Sequence, residues 1–349
     1  MRTLRRMLVI LETAIILLSI MPIGKSRIVN ARINLFRQKP IAVSVVLYNF
    51  EDVFISLVRQ GLEEIQKQNS GKVEFKFYDG KGNQSIENEV IDNIIKNENV
   101  DILLVNLANT LATQEVIDMA KSRGIPVIFF NREPVALDPI KAYPKSFYVG
   151  TDAREAGALQ GQILVNLWNT DRSFIDKNND GLLEYIMLQG ERSSIEAQER
   201  TQYSVSTINN AGIKTQQLAL NVSDWRRDLA QNAVNSLFLQ YDGRIEAIIA
   251  NNDEMAIGAI EALQSHGYNQ GDKMKTIPVV GVDAIAEAQE LIKKGYMTGS
   301  VIQNPLDMAN AIYAIGLNIF QGNPPLNNTQ YKADETGVAV RLPYKAYVA

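Results

Sequence analysis

The sequence contains no cysteine and a single histidine among 349 residues. Without cysteine there is no disulfide, no thiolate metal site, no catalytic thiol and no cysteine for a lipid anchor. Stability has to come from packing alone. The one histidine, His266, precedes Gly267 at a predicted helix end, where an imidazole serves as a favourable terminal charge. One histidine excludes zinc sites built from several of them and argues against a Ser-His-Asp triad. A basic excess is lacking as well. The whole chain carries −4, and because residues 1–31 hold five basic residues and one acid, the remainder stands at −8. A chain so charged does not seek nucleic acid.

Long apolar runs are missing except at the start. Arg2, Arg5 and Arg6 precede a run from Met7 to Gly24 broken by Glu12, Thr13 and Ser19, and Val29-Asn30-Ala31 supplies small residues for cleavage. Residues 1–31 are therefore expected to be a signal peptide. A retained membrane anchor is the alternative. The rest of the chain is expected to be exported and soluble, in the periplasm or another extracytoplasmic space.

What is present is ordinary globular composition, 46% hydrophobic and 21% charged, at a length that suits two domains. From Pro40 onward, short β-branched runs alternate with amphipathic stretches. Ile41 to Tyr48 reads as a strand and Val53 to Gln68 as a helix with apolar positions 53, 54, 57, 58, 62 and 65. The alternation continues to Phe130 and restarts beyond a stretch holding Pro134, Pro139 and Pro144. This rhythm predicts an α/β fold of two Rossmann-like, doubly wound parallel-sheet lobes joined by a hinge. The expected first lobe is 40–132 plus about 304–335, and the second 133–303 plus about 336–349. Gly80-Lys81-Gly82 lacks the third glycine of a dinucleotide fingerprint and reads as a turn.

Residues 176–184 form a pattern of their own. Asp176, Asn178, Asp180, the Leu182 carbonyl and Glu184 place oxygens at alternate positions around Gly181, the spacing of a Ca²⁺ loop. Position 12 of such a loop is Met187, which cannot ligate, so another carboxylate must come from elsewhere. A plain surface turn is the simpler alternative.

In parallel sheets ligands sit beyond the carboxyl ends of the strands. Residues 49–54, Asn106, Trp225, Asn252, Asp253 and Asp283 fall at such ends. Carboxylates and amides beside aromatic faces suit a pyranose, whose hydroxyls want polar partners and whose C–H face packs on rings. Each polar residue among them also reads as a helix N-cap.

The segments Tyr48 to Phe54, Val127 to Pro134, Tyr148 to Asp152, Ile249 to Asp253 and Val280 to Ala284 resemble the galactose/glucose-binding proteins of ABC sugar transporters, within the type I periplasmic binding protein superfamily. The resemblance runs from about Ile41 to the C-terminus. It implies a non-enzymatic receptor that closes on a monosaccharide (galactose, glucose or a methyl galactoside) and delivers it to a membrane ABC permease, with a chemoreceptor as a further candidate partner and a monomeric state. It implies sugar contacts at Asp52, Phe54 and Asn106 in the first lobe and Arg200, Trp225, Asn252 and Asp283 in the second, and Glu246 as the missing Ca²⁺ ligand. Where the family has His, Asp and Asn in the pocket, this chain has Ser194, Glu196 and Gln303, which puts the identity of the sugar in question. Two other classes share the architecture. A sugar-responsive repressor would need a basic helix-turn-helix where the apolar leader stands. A glycoside-processing enzyme would use Asp52, Glu196 or Asp283 as acid and base, although binding pockets use carboxylates equally well.

Overall fold

The computed structural model describes residues 39–241 and 243–349. The expected leader, 1–31, lies outside them. The chain begins with β1 (Ile41–Leu47), α1 (Val53–Gln68), β2 (Val73–Asp79), α2 (Gln84–Asn97), β3 (Ile102–Val105), α3 (Thr113–Ser122), β4 (Val127–Phe130), α4 (Asp138–Lys141) and β5 (Ser146–Thr151). It continues with α5 (Ala153–Thr170), α6 (Arg172–Ile175), β6 (Leu182–Gln189), α7 (Ile195–Asn210), β7 (Lys214–Val222), α8 (Arg227–Gln240), β8 (Ala247–Ala250), α9 (Asp253–Ser265), β9 (Val279–Val280), α10 (Ala286–Lys293) and β10 (Ser300–Ile302). The last elements are α11 (Pro305–Phe320), β11 (Ala339–Leu342) and β12 (Lys345–Tyr347).

Helix α1 shows why the local pattern holds. Asp52 caps it by accepting from the Ile55 amide, and Phe54, Ile55, Val58, Leu62 and Ile65 bury one face on the first sheet. Val53 and Leu57 lie on another face and pack against the apolar core of the second lobe. Strand β1 is covered on both sides. Val43, Val45 and Leu47 pack with α1 and α11, while Val46 packs with α2 and α3. Burial on both faces is what makes a parallel strand read as a continuous apolar run.

The first sheet runs β11-β5-β4-β3-β1-β2 and the second β7-β6-β8-β9, with every pairing parallel. Strands β10 and β12 form an antiparallel pair, and bridges from Val280 to Gly299 and from Asp283 to Ile302 continue the second sheet toward it. Strand order reverses between β1 and β3, and again between β6 and β8. Those reversals open a crevice at the carboxyl end of each sheet.

The expected lobe boundaries need correction. Residues 146–151 are assigned by sequence to the second lobe, yet β5 pairs with β4 and is buried throughout. Residues 339–342 are likewise expected in the second lobe, and β11 pairs with β5 in the first. The prolines at 134, 139 and 144 therefore mark an excursion within the first lobe rather than its end. The chain crosses between lobes after Thr151, after Gln303 and between Leu342 and Lys345.

Candidate functional site

The two crevices face one another across a cavity of about 40 Å³. From the first lobe it is lined by Tyr48, Asp52, Phe54, Asn131 and Arg132. From the second come Ser194, Glu196, Arg200 and Trp225, joined by Asn252, Asp283 and Gln303. A wider groove of about 760 Å³ adjoins it, sharing Tyr48, Asp52, Trp225 and Asn252 and reaching out past Glu51 and Glu191.

Local structure aims these side chains. Asp52, Ser194 and Asn252 are N-caps, accepting from the amides of Ile55, Ala197 and Met255. Capping brings these residues to the cavity wall, because a helix that follows a strand starts at the crevice. Asn131, Asp224, Trp225, Asp283 and Ala284 have positive φ, five of the nine such non-glycine residues among those described. Backbone strain concentrated at one place marks a position that the surrounding structure enforces. Arg200 is placed by the packing of α5 against α7, where a Cβ on Gly157 would come within 2.7 Å of the Arg200 carbonyl.

Of the expected sugar contacts, Asn106 is not among the residues that line the cavity, and its buried Oδ1 has no partner among the described residues. Its Nδ2 donates to the Phe130 carbonyl at 3.0 Å and to Asn131 Oδ1 at 3.3 Å, so it stands behind Asn131 and orients it. The chain leaves β3 at Val105 and turns Asn106 toward β4, whereas the left-handed residue after β4 projects into the crevice. Asn131, Arg132 and Tyr48 were missed, although all three lie in segments that carry the family resemblance. Applying the strand-end rule to β4 finds the first two.

The charges are desolvated and only partly paired. Burial raises the Asp52 carboxyl above its ordinary value, opposed by hydrogen bonds from the Tyr48 hydroxyl at 2.6 Å and the Ile55 amide at 2.8 Å. Asp283 is held well above the carboxylate range by burial, with the Arg200 cation pulling it back down. Arg200 is 5% exposed, donates from Nη1 to the Asn251 carbonyl, and donates from Nη2 to Gln303 and Tyr344. Its Nε has no partner among the described residues, and neither does Trp225 Nε1. Buried donors without acceptors are costly unless a ligand satisfies them.

The departures from the family pattern are tied down. Glu196 accepts from Ser194 Oγ at 2.8 Å through one oxygen and from the Glu133 amide of the first lobe at 2.5 Å through the other. Beside it, Arg132 pairs bidentately with Glu191, at 3.0 and 2.6 Å, across the same gap. The lobes are thus closed on each other.

The 176–184 loop lies away from this cavity. Glu246 receives the amides of Lys177 and Glu184, both at 3.0 Å, so the partner implied by the resemblance does sit at the loop. Asn178 Oδ1 and Asp180 Oδ1 accept from the amides of Asp180 and Leu182. Arg172 and Gly181 take Asp176 Oδ2, and Arg244 takes Glu184. Among the described residues no three carboxylates are gathered closely enough to hold a metal, because repelling charges turn to amides and arginines instead. The donor set nevertheless fits a hard cation. Asp176 Oδ1 is buried without a partner, and burial together with the Asp176 and Asp180 charges pushes Glu246 up to about 7.

Similarity to known proteins agrees with this architecture. A family model for the periplasmic binding protein domain matches residues 41–324. Over 303 residues the chain is 34% identical to the D-galactose/methyl-galactoside binding periplasmic protein MglB of Haemophilus influenzae, covering 86% of this chain and 88% of that protein. An ABC transporter solute binding protein from Bacillus halodurans with bound myo-inositol superposes at TM-score 0.72 with 22% identity, covering 89% of this chain and 95% of that one. A periplasmic solute binding protein from Actinobacillus succinogenes with bound D-allose gives TM-score 0.72 with 21% identity, covering 89% and 98%. At such identities the two structures speak to the fold alone. With two doubly wound lobes, a cavity closed between them and a family match across both, the chain belongs to the periplasmic binding protein family.

Proposed function

We propose that this protein is the extracytoplasmic receptor of an ABC sugar importer, closing on a galactose- or glucose-type hexose, or a methyl galactoside, and presenting the closed form to a membrane permease. The observation that carries the reading is the interlobe cavity, where the unpartnered Arg200 Nε and the desolvated carboxylates of Asp52 and Asp283 converge beside Phe54 and Trp225. Hydroxyls that both donate and accept would satisfy all three groups, and a ring's C–H face would lie on the aromatics. Galactose and methyl galactoside appear in the name of the relative from Haemophilus influenzae, which supports a hexose. That relative is named as a binding protein, which favours capture over hydrolysis. Export through the N-terminal segment, action as a monomer and a chemoreceptor as second partner belong to the same reading. Calorimetric titration with glucose, galactose, methyl β-galactoside, ribose and xylose is expected to show binding confined to the first three. A pentose preference, or no hexose binding, would overturn the hexose assignment.

We propose further that Ca²⁺ is held by Asp176, Asn178, Asp180, the Leu182 carbonyl, Glu184 and Glu246. The ion would neutralise converging carboxylates and bind the loop to the segment before β8, a structural role distant from the sugar. Chelation or Asp180→Ala is expected to lower the melting temperature of the purified protein by several degrees. The order of sugar preference should not change. Melting that is indifferent to excess chelator, in protein that contains no metal, would refute the site.

A further inference from the structure

Tyr344 lies on the third segment that crosses between the lobes, and its hydroxyl is a junction. The oxygen lies 2.7 Å from Thr151 Oγ1, 2.9 Å from Gln303 Oε1 and 2.9 Å from Arg200 Nη2. Thr151 ends β5 at the first crossing, and Gln303 follows β10 at the second. One hydroxyl therefore joins all three hinge segments to the guanidinium that lines the cavity.

The direction of each bond follows from chemistry. A guanidinium only donates and an amide oxygen only accepts, so the Tyr344 proton goes to Gln303 and Thr151 donates its own. The Tyr344 oxygen is then saturated. Burial also holds the phenol above its ordinary value, so the proton stays in place at neutral pH. Gln303 Oε1 takes two donors, from Tyr344 and from Arg200 at 3.0 Å, which leaves its amide nitrogen as the end available to a ligand.

We propose that Tyr344 is a positioning residue of the binding site, acting from the hinge through Arg200 and Gln303 to orient the guanidinium and to make position 303 a hydrogen-bond donor. This rests on the sugar-receptor reading. It assigns the hydroxyl, rather than the buried ring, to ligand affinity.

The test uses Tyr344→Phe, Gln303→Ala and the double variant in the full chain, titrated with whichever of glucose and galactose the parent protein binds better, with melting followed in parallel. Tyr344→Phe keeps the ring and is expected to weaken binding about five- to tenfold, the scale of one lost buried hydrogen bond. In the Gln303→Ala background its effect should shrink to less than half of that factor, because the two act as a unit. Affinity within twofold of the parent, even with a lowered melting temperature, would make the hydroxyl merely structural and overturn the inference. Independent, multiplying effects would overturn it too. Should Tyr344→Phe fail to fold, Thr151→Val cuts the link to the first crossing with the ring intact. A loss of about threefold is then expected, and an unchanged affinity is fatal. A parent protein that binds no sugar brings down the receptor reading and this inference with it, whereas sugar binding indifferent to Tyr344 brings down the inference alone.

Discussion

Trp225→Ala is expected to weaken sugar binding roughly thirtyfold or more, the effect of removing an aromatic anchor worth about 2 kcal/mol. The indole is held by an unusual local arrangement. Asp224 and Trp225 both adopt positive φ, at 47° and 65°, and the Trp225 carbonyl accepts from Asn252 Nδ2 at 3.1 Å. Its ring lies over Gly190, where an added Cβ would come within 2.5 Å of three ring carbons. A backbone strained in this way would not persist unless the ring's position were enforced by its neighbours. Gly190→Ala should thus imitate part of the loss by displacing the ring without deleting it. Fluorescence offers a second readout. The other tryptophan, Trp168, sits 7% exposed in the core beside α6, with the Arg172 guanidinium 4.7 Å from its ring, so a sugar-induced change reports Trp225. Parental affinity in Trp225→Ala would remove this side chain from the site.

Glu191→Gln is expected to weaken binding tenfold or more while leaving the order of sugar preference unchanged. Glu191 does not line the inner cavity. Its partner Arg132 is 8% exposed, with its guanidinium 4.5 Å from the Tyr48 ring and Nη2 on the Ala108 carbonyl. Burial disfavours the charged guanidinium, and Glu191, together with Tyr48 and Glu196, more than offsets that pull. Breaking a buried, hydrogen-bonded charge pair costs about 2 kcal/mol or more, chiefly because the remaining charge is left without a partner. Glu191 keeps a 28% exposed side chain, so water recovers part of that penalty and the lower end of the range applies. Opening the lobes hydrates Arg132, so the variant should favour the open form. Apparent affinity falls with the closed fraction. Faster sugar release and a larger radius of gyration without sugar are the accompanying observables. Unchanged release would show that the pair does not govern closure.

Much of the fold was legible because secondary structure obeys short-range rules. The alternation of β-branched runs with 3.6-residue periodicity located α1 at its observed limits and implied parallel sheets. Asp52, Asn252 and Asp283 were legible for a related reason, since strand ends in a doubly wound sheet meet the crevice wherever the sheets themselves lie. Their neighbours were harder. Asn106 and Asn131 each follow a strand and look equivalent along the chain, and only the left-handed turn at Asn131 decides which amide enters the cavity. Strand β5 was assigned to the second lobe because its membership of the first sheet is fixed by pairing with β4 and β11, the latter 191 residues away along the chain.

The sequence by itself determined the class of fold, the two-lobed plan, the absence of thiol chemistry, and the oxygen-rich loop at 176–184, because composition and local periodicity carry that information. The tertiary structure alone decided where the chain crosses between lobes, that Glu196 is bound by Ser194 and the Glu133 amide, that Arg132 meets Glu191, and that Tyr344 gathers Thr151, Arg200 and Gln303. The physical reason is range: a hydrogen bond between residues up to 193 positions apart is set by the packing of two sheets and leaves no period or motif along the chain.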